Sequence, residues 1–359
     1  MIKKIIFSSG GTGGHIFPAI NLMKYFSNKG LEVLLVTDLK GRNFLEKYSK
    51  YRSILIKAET TTNKSFLKKL WSIPMIFFSI IKSILILKRE KPNLIFGFGG
   101  YVSFPISIAS RLFNIPLVIY ENNLVLGRTN KFLLPFSKKI LLSIKKPINF
   151  PKKYENKIYY VGNILSENII NHEIKENKND HKYFTILVLG GSQGAEIFGK
   201  VIPKTIKKLK DQGYQIKINQ QCTENQKNSL VEFYNKNQIE NNIFYFTTNI
   251  LELISNSDLA ISRCGASTTA ELTQILTPFV AVPYPYSTDN HQYLNAKHYE
   301  NCGCCWVLEQ NNFNVENLLN LLMEITKDKK KLQKARENMK KNGSKNVYTK
   351  IENAIKEFI

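Results

Sequence analysis

The chain has 359 residues, enough for about two domains. With 43% hydrophobic and 22% charged residues, its composition excludes wholesale disorder. Lys and Arg number 51 against 28 Asp and Glu, and the net +23 points to anionic partners (nucleic acid, an anionic membrane surface or phosphorylated substrates) or to codon usage that inflates Lys, Asn and Ile.

Lys4-Ile5-Ile6-Phe7 reads as a strand and leads at once into Ser8-Ser9-Gly10-Gly11-Thr12-Gly13-Gly14-His15. Met1–Lys4 runs straight into this strand, so no signal peptide and a reducing compartment are expected. Helical spacing follows: Pro18 suits a first turn, Leu22, Met23 and Phe26 form a stripe, and Gly30 ends it. Leu31 to Val36 is a continuous apolar run closing at Thr37-Asp38. Continuous rather than alternating runs predict strands covered on both faces, as in parallel sheets. From Leu70 to Leu87 the chain is apolar but broken by Pro74 and Lys82, short of what a spanning helix needs. The part after Lys82 reads as a core helix. Phe66–Ile81, with basic flanks, reads as a surface for an anionic bilayer, with Trp71, Phe77 and Phe78 as the contact residues.

The strand-then-glycine pattern recurs. Leu94-Ile95-Phe96 enters Gly97-Phe98-Gly99-Gly100, and Leu117-Val118-Ile119-Tyr120 enters Glu121-Asn122-Asn123. A polar stretch from Lys145 to Lys182 marks the region between domains. Phe184–Leu189 then enters Gly190–Ala195, Asp258–Ser262 enters Arg263–Glu271, and Phe279–Pro283 is a later strand. Val347, Ile351, Ile355 and Phe358 give a docking helix at the end. The class is α/β, with two doubly wound halves. Five cysteines make no disulfide framework, and Cys302 and Cys305 have only half a zinc site's spacing.

Ligands of open α/β sheets sit beyond the carboxyl ends of the strands, where helix N-termini offer unpaired N–H groups to phosphate and glycines let backbone approach closely. The spelling of the loops excludes common alternatives. Counted from Gly11, the dinucleotide fingerprint fails at Ile16, although Asp38 imitates its ribose-binding acid; Ala195 after Gly194 excludes a P-loop. Glu271 is placed either to accept a ribose diol or as an exposed helix residue. Ser192 contacts a phosphate or caps a helix. His15 is a general base or a structural histidine. Gln292 bonds a sugar hydroxyl or backbone.

Taken in order, Gly10–Ala19, Gly97–Ser103, Glu121–Asn123 through Asn130-Lys131, Gly190–Ala195, Ser262–Glu271 and Asp289–Gln292 resemble the MurG-type glycosyltransferases of family 28. The resemblance implies a GT-B fold, two Rossmann-like domains facing across a cleft. It assigns 1–163 to the acceptor and membrane side, 164–342 to the UDP-sugar, and a final helix, 343–359, packing back on the first domain. It implies inverting transfer of N-acetylglucosamine from UDP-N-acetylglucosamine (UDP-GlcNAc) to the muramyl 4-hydroxyl of lipid I (undecaprenyl-pyrophosphoryl-MurNAc-pentapeptide). The product is lipid II of peptidoglycan synthesis, made by a peripheral enzyme at the cytoplasmic face of the inner membrane.

Carried over by residue, Thr12, Gly13, Gly14 and Asn123 approach the donor from the first domain and Ser192 its phosphates. Thr247 lies near the uracil, Ala266, Ser267, Thr268, Thr269 and Ala270 run along the nucleotide, Glu271 meets the ribose and Gln292 the sugar. The chain departs from the family at Ser166, where an Arg is common and where a hydroxyl supplies no cationic fork. It departs also at Tyr120, Asn122 and Cys264. In a single displacement a base takes the acceptor proton as UDP leaves, and His15 is assigned that role with Glu121 as rival. Helix N-termini and Arg263 would balance the leaving charge. With no Asp-x-Asp pair, neither metal nor cofactor is expected. The competing readings are another UDP-sugar enzyme of the same fold, a membrane scaffold, and a basic nucleic-acid-binding protein. Scattered basic residues and the lack of a recognisable module argue against nucleic acid.

Overall fold

Both runs of apolar strands fold into parallel sheets whose strand-end loops gather at one edge. The computed structural model describes residues 3–48, 51–56, 66–145, 147–173, 182–191 and 195–359, with only the backbone at 47–48 and 66–73. The chain forms two compact units, Met1–Ser166 with Ser344–Ile359, and Glu167–Gly343.

In the first unit β1 (Lys4–Ser8), α1 (Gly13–Asn28), β2 (Glu32–Thr37), α2 (Leu39–Tyr48), β3 (Ser53–Leu55), α3 (Phe66–Glu90), β4 (Leu94–Gly97), α4 (Ser103–Ala109), β5 (Leu117–Glu121), α5 (Arg128–Leu133), β6 (Lys139–Leu142) and β7 (Ile158–Tyr160) follow one another. The strands pair in parallel in the order β3-β2-β1-β4-β5-β6-β7. Side chains alternate between its faces. Ile6, Ile95 and Ile119 point into one core with Val102, Ile106 and Leu133. On the other face Phe7 stacks on Phe96 and Phe96 on Phe98.

Two local expectations change. Helix α1 starts at Gly13, so Pro18 lies in its second turn rather than its first. Proline has no N–H for the Gly14 carbonyl, and the side-chain amide of Asn122 donates to that carbonyl instead. Helix α3 does not change character at Lys82. Phe77, Phe78, Ile81 and Leu85 are exposed along one stripe, whereas Ser79, Ser83, Ile86 and Leu87 are buried on the other. Helical spacing keeps each set on its own face. The side chain of Trp71 lies outside the described residues.

The second unit runs α6 (Glu167–Ile170), β8 (Phe184–Leu189), α7 (Glu196–Asp211), β9 (Ile216–Gln221), α8 (Lys227–Lys236), β10 (Glu240–Phe244), α9 (Ile250–Ser255), β11 (Leu259–Ser262), α10 (Ala266–Gln274), β12 (Phe279–Ala281), α11 (His291–Asn301), β13 (Cys305–Val307), α12 (Val315–Lys327) and α13 (Lys329–Asn342). Its parallel sheet has the order β10-β9-β8-β11-β12-β13. Ile186, Val188, Ile261 and Val280 pack there against Phe198, Ile202 and Leu322. Cys304 is a free buried thiol just before β13, and burial pushes it up to about 12.

The last helix, α14 (Val347–Ile355), belongs to the first unit. Tyr348 stacks on Tyr25 with ring centroids 4.6 Å apart and donates from its hydroxyl to the Leu165 carbonyl at 2.6 Å. Glu352 accepts from Tyr25 and Lys29. Ile164 donates its N–H to the Tyr120 hydroxyl, so the chain stays with the first sheet as far as Ser166.

At the end of α3 the side chain of Glu90, 3% exposed, accepts from Arg52, Lys4 and Arg89. Burial alone would raise this carboxyl, but the three cations outweigh it and hold it at about 2. A carboxyl lowered on folding adds stability above its ordinary range and loses it as pH falls through the folded value. Glu90→Gln is expected to cost about 2 kcal/mol at neutral pH, a figure reduced because Arg52 and Arg89 stay half-solvated. In urea unfolding the gap from wild type should close between pH 4.5 and about 2.

Candidate active site

Chain order reverses between β1 and β4 in the first sheet and between β8 and β11 in the second. These switch points open crevices at the carboxyl ends of the strands, and the sequence places its glycine loops there.

In the second unit, α10 begins directly after the loop that follows β11. Its N-cap, Gly265, has an extended backbone and makes no side-chain cap, so the first-turn N–H groups keep no acceptor within the helix and carry its positive end. The Ser267 hydroxyl is buried in that turn with no hydrogen-bonding partner among the described residues. Thr269 turns inward, its hydroxyl bonding the Gly265 and Ala266 carbonyls at 3.2 Å. Ala266 and Ala270 are buried and Thr268 is half-buried. Glu271 lies on the second turn. Its residue surface is half-exposed, yet burial of the carboxyl pushes it up to about 7, with no cation among the described residues to offset the cost.

Gln292 makes the backbone contacts that one of its two readings expects. Its Oε1 accepts from the Cys264 N–H at 3.2 Å and the Tyr284 N–H at 3.0 Å, which leaves its amide nitrogen as the end that can donate elsewhere. Arg263 does not serve the leaving charge as expected. It is buried, donates to the Val282 and Pro283 carbonyls and to Gln310, and lies over the rings of Phe198 and Tyr284. It braces the turn that leads to Gln292.

Thr247 follows β10 at the same end of the sheet, and its hydroxyl accepts from the Asn249 N–H at 3.0 Å. Ser166, the last residue of the first unit, directly precedes α6. Ser192 lies outside the described residues. One contact escaped the sequence reading: Gln221 at the end of β9 accepts the Gly190 N–H at 3.1 Å and holds the start of that loop.

In the first unit the loops after β1 and β4 meet backbone to backbone. The Gly10 N–H donates to the Gly99 carbonyl at 3.1 Å and the Phe98 N–H to the Ser8 carbonyl at 2.8 Å. Gly99 and Gly100 have φ of +85° and +75°, and a Cβ on Gly100 would lie 2.9 Å from the Gly10 Cα. Only glycine satisfies both demands. His15 sits beside this junction, its Nδ1 2.9 Å from the Thr12 hydroxyl. Gly13 and Gly14 form the uncapped first turn of α1, and Thr12 is exposed ahead of it.

Glu121, the rival base, is 2% exposed. Its Oε1 accepts from the backbone and side chain of Asn123, and its Oε2 from the Gly127 N–H and the Asn130 amide. Four donors on one buried carboxylate make it the organiser of the loop after β5. Asn123 points its amide at Glu121 and Asn122, so it belongs to the same scaffold. Asn122 in turn reaches the start of α1 through Gly14.

Residues 5–142 match the glycosyltransferase family 28 N-terminal domain and residues 185–351 the family 28 C-terminal domain. A UDP-N-acetylglucosamine–N-acetylmuramyl-(pentapeptide) pyrophosphoryl-undecaprenol N-acetylglucosamine transferase of Rickettsia canadensis is 35% identical over the full length of both chains. The enzyme of that name from Pelagibacter ubique is 34% identical over 98% of this chain and 97% of its own. The crystal structure of Acinetobacter baumannii MurG is 25% identical and superimposes with a TM-score of 0.80 over 99% of each chain. Two doubly wound parallel units of the GT-B kind, with matches of this length, mean that the chain belongs to glycosyltransferase family 28.

Proposed function

We propose that the chain transfers N-acetylglucosamine from UDP-GlcNAc to the 4-hydroxyl of the muramyl sugar on lipid I, with inversion, yielding lipid II. Family membership and relatives of that name support the reading. The observation that carries it is α10, where an uncapped N-terminus and a partnerless Ser267 hydroxyl precede a buried carboxyl, Glu271. A uridine diphosphate supplies what each lacks: phosphate oxygens for the N–H groups and ribose hydroxyls for Glu271. Gln292 then offers its amide to the sugar.

The reaction is one displacement. When Nδ1 of His15 donates to Thr12, Nε2 is the basic nitrogen and takes the acceptor's proton. The oxygen attacks the anomeric carbon as its bond to the β-phosphate breaks, and the N-terminus of α10 meets the charge that develops on UDP.

Among the described residues no helix is long and apolar enough to cross a membrane. A lipid-borne acceptor therefore asks for docking at a surface, and the exposed stripe Phe77, Phe78, Ile81 and Leu85 supports one. Helix α4 packs against both α3 and α5, and the same unit exposes Leu112, Phe132 and Phe136. Lys82, Arg89, Arg111 and Lys131 are exposed among them, a pattern suited to anionic lipid on the cytoplasmic face of the inner membrane. The basic excess reads as serving that surface and not nucleic acid.

Incubation with UDP-GlcNAc and a lipid I analogue should release UDP and form the disaccharide; UDP release without disaccharide would indicate a different sugar-nucleotide enzyme. In that assay His15→Ala should lower kcat by roughly 10²–10⁴-fold with donor affinity preserved, and wild-type turnover would remove it as the base. Ribose hydroxyls favour the ionised form of Glu271, so calorimetric affinity for UDP-GlcNAc should rise as pH climbs through about 7. Glu271→Gln should flatten that profile and weaken binding roughly tenfold or more. Phe77→Ser with Phe78→Ser should reduce flotation with anionic vesicles, and retained binding would move the docking face elsewhere.

A further inference from the structure

We infer that Asp38 is a positioning residue for the transfer: one carboxylate bolts the glycine loop after β1 to the loop after β4 and so fixes the seat of His15. The inference rests on the reading of His15 as the base.

Asp38 directly follows β2, whose parallel neighbour is β1. Its Oδ1 accepts the Gly41 N–H at 2.8 Å, an ordinary N-cap of α2. Capping alone would leave the other oxygen idle. Oδ2 instead accepts the Gly11 N–H at 3.2 Å from the first loop and the Tyr101 hydroxyl at 3.0 Å from the second. Three donors therefore converge on one group, and an ionised carboxylate accepts on both oxygens without presenting a hydrogen to any of them. The approach is close enough that a Cβ on Gly11 would collide with Asp38 and lie 2.7 Å from the Gly41 nitrogen.

The bolt reaches the imidazole in two steps. Gly11 is followed by Thr12, which holds Nδ1 of His15. Tyr101 follows Gly100, and Cβ positions on Gly99 and Gly100 lie 3.4 and 3.5 Å from the two ring nitrogens. Both loops thus form walls of the histidine's seat, and the Asp38 side chain bonds to each.

Asp38→Asn separates the two roles, because its carbonyl still caps α2 while its NH₂ confronts the Gly11 N–H. Turnover of UDP-GlcNAc with the lipid acceptor, the thermal midpoint and the NMR titration of the His15 ring are measured for Asp38→Asn, Tyr101→Phe and the double variant. We expect Asp38→Asn to keep the wild-type midpoint and donor KM, to lose roughly tenfold or more in kcat, and to shift the His15 ring signals and their titration. Tyr101→Phe should lose less, and the double variant no more than Asp38→Asn, since both remove the same link. Unchanged kcat, or unmoved His15 signals, overturns the inference. Should His15→Ala itself turn over normally, the base reading fails separately, and shifted ring signals in Asp38→Asn still decide whether the carboxylate sets the histidine's seat.

Discussion

Where a helix starts at the carboxyl end of a parallel strand, its first N–H groups point away from the sheet with nothing in the helix to accept them. Both candidate crevices are built on that constraint. A side-chain cap would satisfy the groups and close the site to phosphate. At α10 the capping position is held by a glycine, and at α1 Thr12 turns its hydroxyl to His15 instead of back to the helix. The first-turn donors are therefore left without a side-chain cap, and the glycines let an anion come near them.

Four carboxylates show how environment divides labour among identical groups. Glu90 faces three cations and is held ionised as a structural anchor. Glu121 faces four neutral donors and shapes a loop. Asp38 divides its oxygens between a helix cap and two loops. Among the described residues Glu271 faces none of these, and burial without compensation leaves it raised to about 7. A buried polar group without a partner costs free energy, so the one carboxyl left in that state is the one with the most to gain from a bound hydroxyl pair.

Three of the positions where this chain departs from its family pattern, Tyr120, Asn122 and Cys264, are absorbed by local bonding. Tyr120 donates to the Gly162 carbonyl and accepts from Ile164, which helps hold the end of the first unit. Asn122 reaches the carbonyl that Pro18 leaves without a donor. Cys264 is fully buried, and the main-chain N–H it offers to Gln292 would be the same in any small residue there.

Periodicity made the strands and most helices legible, because continuous apolar runs suit a sheet covered on both faces and because glycine and proline punctuate the chain locally. The glycine loops, the helix bearing Glu271 and the stripe at Phe77 and Phe78 were readable for the same reason: each depends on neighbours within a few residues. What each side chain bonds to was not. Sequence alone makes Glu121 a rival base, Arg263 a phosphate partner and Asp38 a failed ribose acid, whereas the fold surrounds Glu121 with donors of Asn123, Gly127 and Asn130 and gives the Arg263 guanidinium to the carbonyls of residues 282 and 283. Those outcomes turn on donors brought from distant strands by the parallel topology, as when Tyr101 reaches Asp38 from another loop. Residue type and spacing determine what a group can offer, whereas only the packed sheet determines whether its hydrogen-bonding capacity is already spent.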